Sequence, residues 1–242
     1  MRYVNISDVG KVRKLNEDSG FFSDNEQFPY GIVADGMGGH AAGEVASEML
    51  VDIVTNHLDN KLDEKLDYVE VGEQIRRAIL NANGIIYNYS KKHYKVMGMG
   101  TTATVAMIYQ GKLITVHVGD SRAYVVNDDG ITQLTRDHSY VQELVARGDI
   151  TPEEAKNHPK KNFITRAIGV DDFIKVDVSI KNYQGGTVFI CSDGLTNFVE
   201  DNEIKEHIQN SVDLQTGAQK LIDMANQRGG KDNITIVAFG KE

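Results

Sequence analysis

The sequence predicts an α+β fold, a four-layer α-β-β-α sandwich in which two mainly antiparallel β-sheets pack face to face between helix pairs. Three observations predict it. Short β-rich runs joined by Gly and Asp turns crowd residues 102–134, and turns of two or three residues connect antiparallel neighbours, whereas parallel strands need longer crossovers. Two segments upstream of that region carry apolar residues at helical period, and two more helical patterns stand near the C-terminal end. Mixed strands and paired helices are best layered as two stacked sheets with the helices outside.

In chain order, Ile32-Val33-Ala34 reads as a strand running straight into Asp35-Gly36. Glu44–Leu58 reads as a helix, with Val45, Met49, Ile53, Val54 and Leu58 as its apolar stripe; Gly72–Ser90 reads as a second, through Ile75, Ile79, Ala82, Ile86 and Tyr89. Strands at Thr102–Tyr109, Leu113–Val118, Arg122–Val126 and Ile131–Leu134 then form one consecutive meander. Residues 137–170 lose the pattern, punctuated by Arg147-Gly148-Asp149, Pro152 and His158-Pro159, and read as a short helix in an irregular surface excursion. Strands resume at Lys175–Ile180 and Thr187–Cys191, helices follow near Asp201–Gln209 and Asp213–Gln227, and Asn233–Phe239 closes the fold. With no repeat, low-complexity tract or linker, residues 1–242 are expected to form a single domain.

The composition of this chain, 40% hydrophobic and 25% charged, is that of an ordinary globular protein. A formal net charge of −9 argues against a sequence-independent grip on DNA or RNA, which needs Lys and Arg on phosphates. One cysteine, Cys191, permits no intrachain disulfide. The opening MRYVNISDVGK lacks an apolar signal core and no run reaches transmembrane length, so a cytoplasmic location without membrane insertion is expected.

The acids fall at informative places. Asp35, Asp120 and Asp193 each follow a strand, and Asp232 precedes one. Carboxylates on the rims of core strands have fixed backbones, repel one another unless a cation is present, and suit hard cations such as Mg²⁺ and Mn²⁺. A Gly after Asp permits a tight turn and exposes a carbonyl oxygen as a further ligand. Asp-Gly is also simply a common turn; Asp128-Asp129-Gly130 is read that way, and spacing alone does not separate the two groups. Two cations would deprotonate a shared water near neutral pH and neutralise phosphate oxygens. No phosphoenzyme residue is then needed, and Cys191 is not followed by a C-x₅-R loop.

The segments Arg13-Lys14-Leu15-Asn16-Glu17-Asp18, Asp35-Gly36-Met37-Gly38-Gly39-His40, Gly98-Met99-Gly100-Thr101-Thr102, Val118-Gly119-Asp120-Ser121-Arg122, Ser192-Asp193-Gly194 and Lys231-Asp232-Asn233 occur in this order. Together they resemble the compact bacterial members of the metal-dependent protein phosphatases, the protein phosphatase 2C type, and the resemblance spans essentially the whole chain. It implies a serine/threonine phosphatase in which a metal-bridging water or hydroxide attacks phosphorus, opposing a bacterial Ser/Thr kinase and acting as a monomer on phosphoserine and phosphothreonine proteins. By the same resemblance Asp35 bridges two Mn²⁺ or Mg²⁺ ions, with the Gly36 carbonyl on one. Asp193 and Asp232 complete the other, Asp120 helps hold a third, weaker ion, and Asp18 and Glu17 act through water.

Two further roles come from the resemblance. Arg13 would hold the substrate phosphate, since guanidinium makes paired hydrogen bonds that Lys does not; from composition alone it is a solvated basic residue. His40 would be the general acid for the departing Ser or Thr oxygen; otherwise Gly38-Gly39-His40 is a helix entry. His117 is read as a packed or hydrogen-bonded core residue and Cys191 as buried and inert. Residues 137–170 correspond to the family's flap, where Lys160, Lys161 and Arg166 either contact a phosphoprotein or form a solvated face. The competing readings are a non-catalytic binding module, which would be expected to lack a metal carboxylate, and a metal hydrolase of small phosphate esters.

Overall fold

Alternating apolar residues in the middle of the chain build strands that are buried on both faces. In the computed structural model, which describes residues 1–38 and 42–240, the strands are β1 (Arg2–Asp8), β2 (Asp18–Ser23), β3 (Tyr30–Met37), β4 (Gly100–Thr101), β5 (Ala103–Tyr109), β6 (Lys112–Val118), β7 (Arg122–Asn127), β8 (Gly130–Gln133), β9 (Asp177–Asn182), β10 (Thr187–Cys191) and β11 (Ile234–Gly240). The helices are α1 (Gly43–Lys61), α2 (Tyr68–Lys92), α3 (Tyr140–Arg147), α4 (Pro152–Lys156), α5 (Asp193–Thr196), α6 (Asp201–Asn210) and α7 (Leu214–Gln227).

One sheet has the order β1-β11-β10-β7-β8; the other runs β2-β3-β5-β6-β9, with β4 paired to β3. All named pairs are antiparallel. Val33, Ala106, Ile108, Ala123, Val188, Ile190, Val237 and Phe239 fill the space between the sheets. The outer face of the β3-containing sheet packs on α1 and α2 through Ile32, Val105, Val116, Leu50, Ile75 and Ile79. The outer face of the other packs on α6 and α7 through Phe189, Ile236, Ile204 and Leu221. The predicted α-β-β-α layering is therefore the observed one.

Several local expectations need correction. The 102–134 region is not one meander: β5 pairs with β6 and β7 with β8, but β6 and β7 lie in different sheets. The chain changes sheet at Gly119-Asp120-Ser121, where Gly119 takes φ +113° and a Cβ would stand 2.5 Å from Thr102 Cγ2, so only glycine fits. On α1 the buried line is Ala46, Leu50, Val54 and Leu58, while Val45, Met49 and Ile53 flank it partly buried. Tyr89 is exposed, its ring stacked on His93, and Ser90 is buried instead.

The excursion holds two short helices rather than one, α3 and α4, and its base closes through bridges Ser139↔Ile164 and Thr101↔Ile168. Helix α2 starts four residues before the expected Gly72 because Asp67 and Glu70 form a reciprocal capping box. No helix among the described residues is long and apolar enough to cross a membrane.

Candidate metal centre

Antiparallel pairing decides which strand ends share an edge. The ends of β3, β6 and β10 and the beginnings of β2, β7 and β11 meet at one end of the sandwich, as the pairs Asp18↔Asp35, Ala103↔Val118, Cys191↔Arg122 and Cys191↔Ile236 show. Asp35 lies near the end of β3, Asp18 opens β2, Asp120 follows β6, Asp193 follows β10 and opens α5, and Asp232 precedes β11. Asp18 and Asp35 belong to one sheet; Asp193 and Asp232 flank strands of the other.

These carboxylates feel one another. Burial, and then Asp18, Asp193, Asp120 and Asp232, hold the Asp35 carboxyl well above the ordinary carboxylate range. Asp18 is pushed up to about 7, first by burial and then by Asp193 and Asp232, although the Ser192 hydroxyl donates to it at 2.7 Å. Asp193 is pushed up to about 6 by burial and by Asp232, while the Asn197 amide donates to it at 3.0 Å. Asp120 is raised by burial, Asp193 and Asp137, and its Oδ1 is buried without a hydrogen-bond partner. Like charges directly opposite in a sheet, as at Asp18 and Asp35, are destabilising.

Glu17 and Arg13 come from the loop between β1 and β2. Arg13 places Nη2 at 2.9 and 3.0 Å from the two Asp232 oxygens and Nη1 at 3.5 Å from Glu17. Glu17 accepts from the Gly43 N–H at the start of α1 (3.2 Å), the end of a helix dipole that favours negative charge. Its carbonyl accepts from Gly36 N (3.1 Å) and Ser47 Oγ (2.7 Å). Gly36 is buried where β3 meets α1; a Cβ there would stand 2.2 Å from the Gly43 carbonyl oxygen and 2.4 Å from that of Glu17. His40 lies outside the described residues.

Several groups at the site were given no role by sequence reasoning. Asn233, 3% exposed, donates to the Val9 and Leu15 carbonyls and accepts from Glu17 N, all within 3.0 Å, so it ties the Arg13–Glu17 loop to β11. Arg122 makes a forked pair with Asp137 at 2.7–3.0 Å behind Asp120. The sequence signal for Asn233 was its place beside Asp232 in the Lys231-Asp232-Asn233 segment; Asp137 carried none. His117 is core, bonded to Thr104 at 2.9 Å, and Cys191 is fully buried, its thiol pushed up by burial. Arg166 is engaged with Asp177 (3.1 Å) and Lys160 lies over the Tyr140 ring. A cavity of about 720 Å³ between the start of β3 and the end of α1, lined by Phe28, Tyr30, Asp59 and Asp63, contains none of these residues.

The donor set fits hard divalent cations. It consists of carboxylate and carbonyl oxygens, it includes a buried acceptor left without a partner, and burial and mutual repulsion disfavour the charged forms of Asp18, Asp35, Asp120 and Asp193, a cost that a bound cation would relieve. Among the described residues no group of three or more His, Cys, Asp or Glu side chains stands ready-formed as a metal-binding set. Sparse protein ligation suits small cations that retain several waters.

The protein phosphatase 2C family model matches residues 11–231. The chain is 40% identical to the serine/threonine phosphatase stp of Listeria monocytogenes, over 98% of this chain and 94% of that protein. The crystal structure of serine/threonine phosphatase Stp1 from Staphylococcus aureus superposes with a TM-score of 0.92 at 35% identity, covering 99% of this chain and 94% of that one. The catalytic domain of serine/threonine protein phosphatase PstP, crystallised in complex with two manganese ions, superposes with a TM-score of 0.86 at 35% identity, over 100% and 98% of the two chains. With the edge carboxylates, the sandwich and these likenesses together, the chain belongs to the protein phosphatase 2C family.

Proposed function

We propose that this chain is a metal-dependent phosphatase of phosphoserine and phosphothreonine proteins, and that residues 1–242 form its one catalytic domain with the 137–170 flap beside the site. The observation that carries the reading is the convergence of Asp18, Asp35, Asp120, Asp193 and Asp232 at one edge of the sandwich, where burial and mutual repulsion raise the carboxyls of Asp18, Asp35, Asp120 and Asp193. Mn²⁺ or Mg²⁺ bound there supplies an activated water and offsets phosphoryl charge.

Asp35, Gly36, Asp193 and Asp232 are the proposed direct ligands of two ions, Asp18 and Glu17 act through water, and Asp120 serves a third, weaker ion. Arg13 turns its remaining N–H groups toward phosphoryl oxygens, and His40 delivers the proton to the leaving alkoxide. That the relatives are serine/threonine phosphatases supports phosphoprotein substrates, and the activity reverses a Ser/Thr kinase in bacterial signalling, in the cytoplasm and as a monomer.

The test is phosphate release from a phosphothreonine peptide with Mn²⁺ and with chelator, for wild type and Asp193→Ala. Metal-dependent release that the variant loses, together with bound metal, is expected. Well-folded wild type inert under every metal and pH condition would favour the binding-module reading.

A further inference from the structure

We infer that His138 is a positioning residue that fixes the Gly119-Asp120 turn, and with it the Asp120 carboxylate; the inference rests on the phosphatase reading above. The turn is where the chain leaves one sheet for the other, so Gly119 has no strand neighbour to bond its peptide. Both of its backbone polar groups go to one residue instead. His138 N donates to the Gly119 carbonyl at 2.7 Å, and Gly119 N donates to His138 Nδ1 at 3.1 Å. A buried backbone group without such partners costs about 1–3 kcal/mol.

This grip dictates the state of the ring. Nδ1 accepts from an N–H and carries no proton, so the neutral ring holds its proton on Nε2. Nε2 stands 3.3 Å from Asp177 Oδ2, and Arg166 Nη1 stands 3.1 Å from Oδ1 of the same carboxylate. Arg166 is also 3.0 Å from Nε2, but both are donors, so both bond the carboxylate between them. Asp177 opens β9 directly across from His117 in β6.

The other side of the turn is held as well. His138 packs its ring on His117 at 4.9 Å, His117 Nδ1 bonds Thr104 Oγ1 at 2.9 Å, and that hydroxyl donates to the Ser121 carbonyl at 3.2 Å. Ser121 Oγ bonds Thr102 Oγ1 at 2.8 Å, and Thr102 Oγ1 accepts from Asp35 N at 2.9 Å. Gly119 and Ser121 are thus pinned while the Asp120 Oδ1 between them is buried and unpartnered. Its direction is set through the backbone. Residues that orient a ligand in this way change metal affinity about 10–100-fold when removed.

The test is a calorimetric Mn²⁺ titration of wild type, His138→Ala, His138→Asn and His138→Gln, with amide exchange at Gly119. The Asn carbonyl oxygen can take the place of Nδ1, whereas Gln reaches the place of Nε2 and leaves Gly119 unbonded. Wild type is expected to bind a weaker ion beyond two tighter ones. His138→Ala and His138→Gln weaken that ion about 10–100-fold, leave the tighter ions within about threefold, and expose the Gly119 amide; His138→Asn restores both. Should the Ala variant fail to fold, the Asn-against-Gln contrast decides. An unchanged weaker ion, equal losses in Asn and Gln, or no weaker ion in wild type overturns the inference. Turnover of a phosphothreonine peptide by wild type, measured alongside, reports separately on the phosphatase reading.

Discussion

Arg13 is half-exposed and sets Nη2 against both Asp232 oxygens and Nη1 against Glu17, which leaves further N–H groups of the guanidinium for a phosphate. A point-charge ammonium does not reproduce that geometry. Arg13→Lys is expected to lower kcat/KM for a phosphothreonine peptide about 10–100-fold, mostly through KM, the worth of one charge-assisted pair at about 1.5–3 kcal/mol. Steady-state kinetics check it; an unchanged KM would remove Arg13 from phosphate binding. His40→Ala is expected to slow phosphothreonine hydrolysis about 10²–10⁴-fold and an aryl phosphate far less, because a phenolate leaves with less help. Equal losses would speak against a general acid. Asp35, Asp120, Asp193 and Asp232 were legible because each abuts an apolar run; Asp18 entered only through the family resemblance. Asn233 was visible only as the neighbour of Asp232 and His138 not at all, because their work is to satisfy backbone groups far away in sequence, which gives no hint of role in the local pattern.

At the scale of elements, the contact of β3 with the start of α1 is set by Gly36 and Gly43, with the Glu17 carbonyl against Gly36 and the Glu17 carboxylate against Gly43. Gly36→Ala must push backbone apart. It is expected to destabilise the protein by about 1–3 kcal/mol and to abolish activity, as read by thermal melting and turnover; a melting temperature within error of wild type would contradict the packing argument. The four longer helices, α1, α2, α6 and α7, and the central strands were readable from period alone. Strands β1 and β2 were not: β1 buries only Val4 fully and β2 is half-buried throughout, so neither shows the apolar alternation of a core strand. The jump between sheets at Gly119 was missed for a related reason. A short Gly-Asp connection looks the same whether the next strand pairs with the last or crosses to the facing sheet.

For the whole molecule, the crowded carboxyls make stability depend on pH. Burial and mutual repulsion push the Asp18 and Asp193 carboxyls up to about 7 and about 6 in the folded protein, against an ordinary value of about 4 in the unfolded chain. Between these values the native state binds more protons than the unfolded one, so stability falls as pH rises through that window. The metal-free protein is expected to melt at progressively lower temperature from about pH 4 to about pH 7, and saturating Mn²⁺ should remove the trend. Differential scanning fluorimetry in chelator checks the sign; a melting temperature that rises over that range would refute it.

The division of carboxylates between the two sheets has a consequence for the polymer itself. A cation gripped by Asp35 and Asp193 ties together points separated by roughly two thirds of the chain, and the entropy lost on closing a long loop grows with its length. In a chain whose one cysteine forbids a disulfide staple, the catalytic ions would double as its reversible cross-link, slowing the parting of the two sheets for as long as they stay bound.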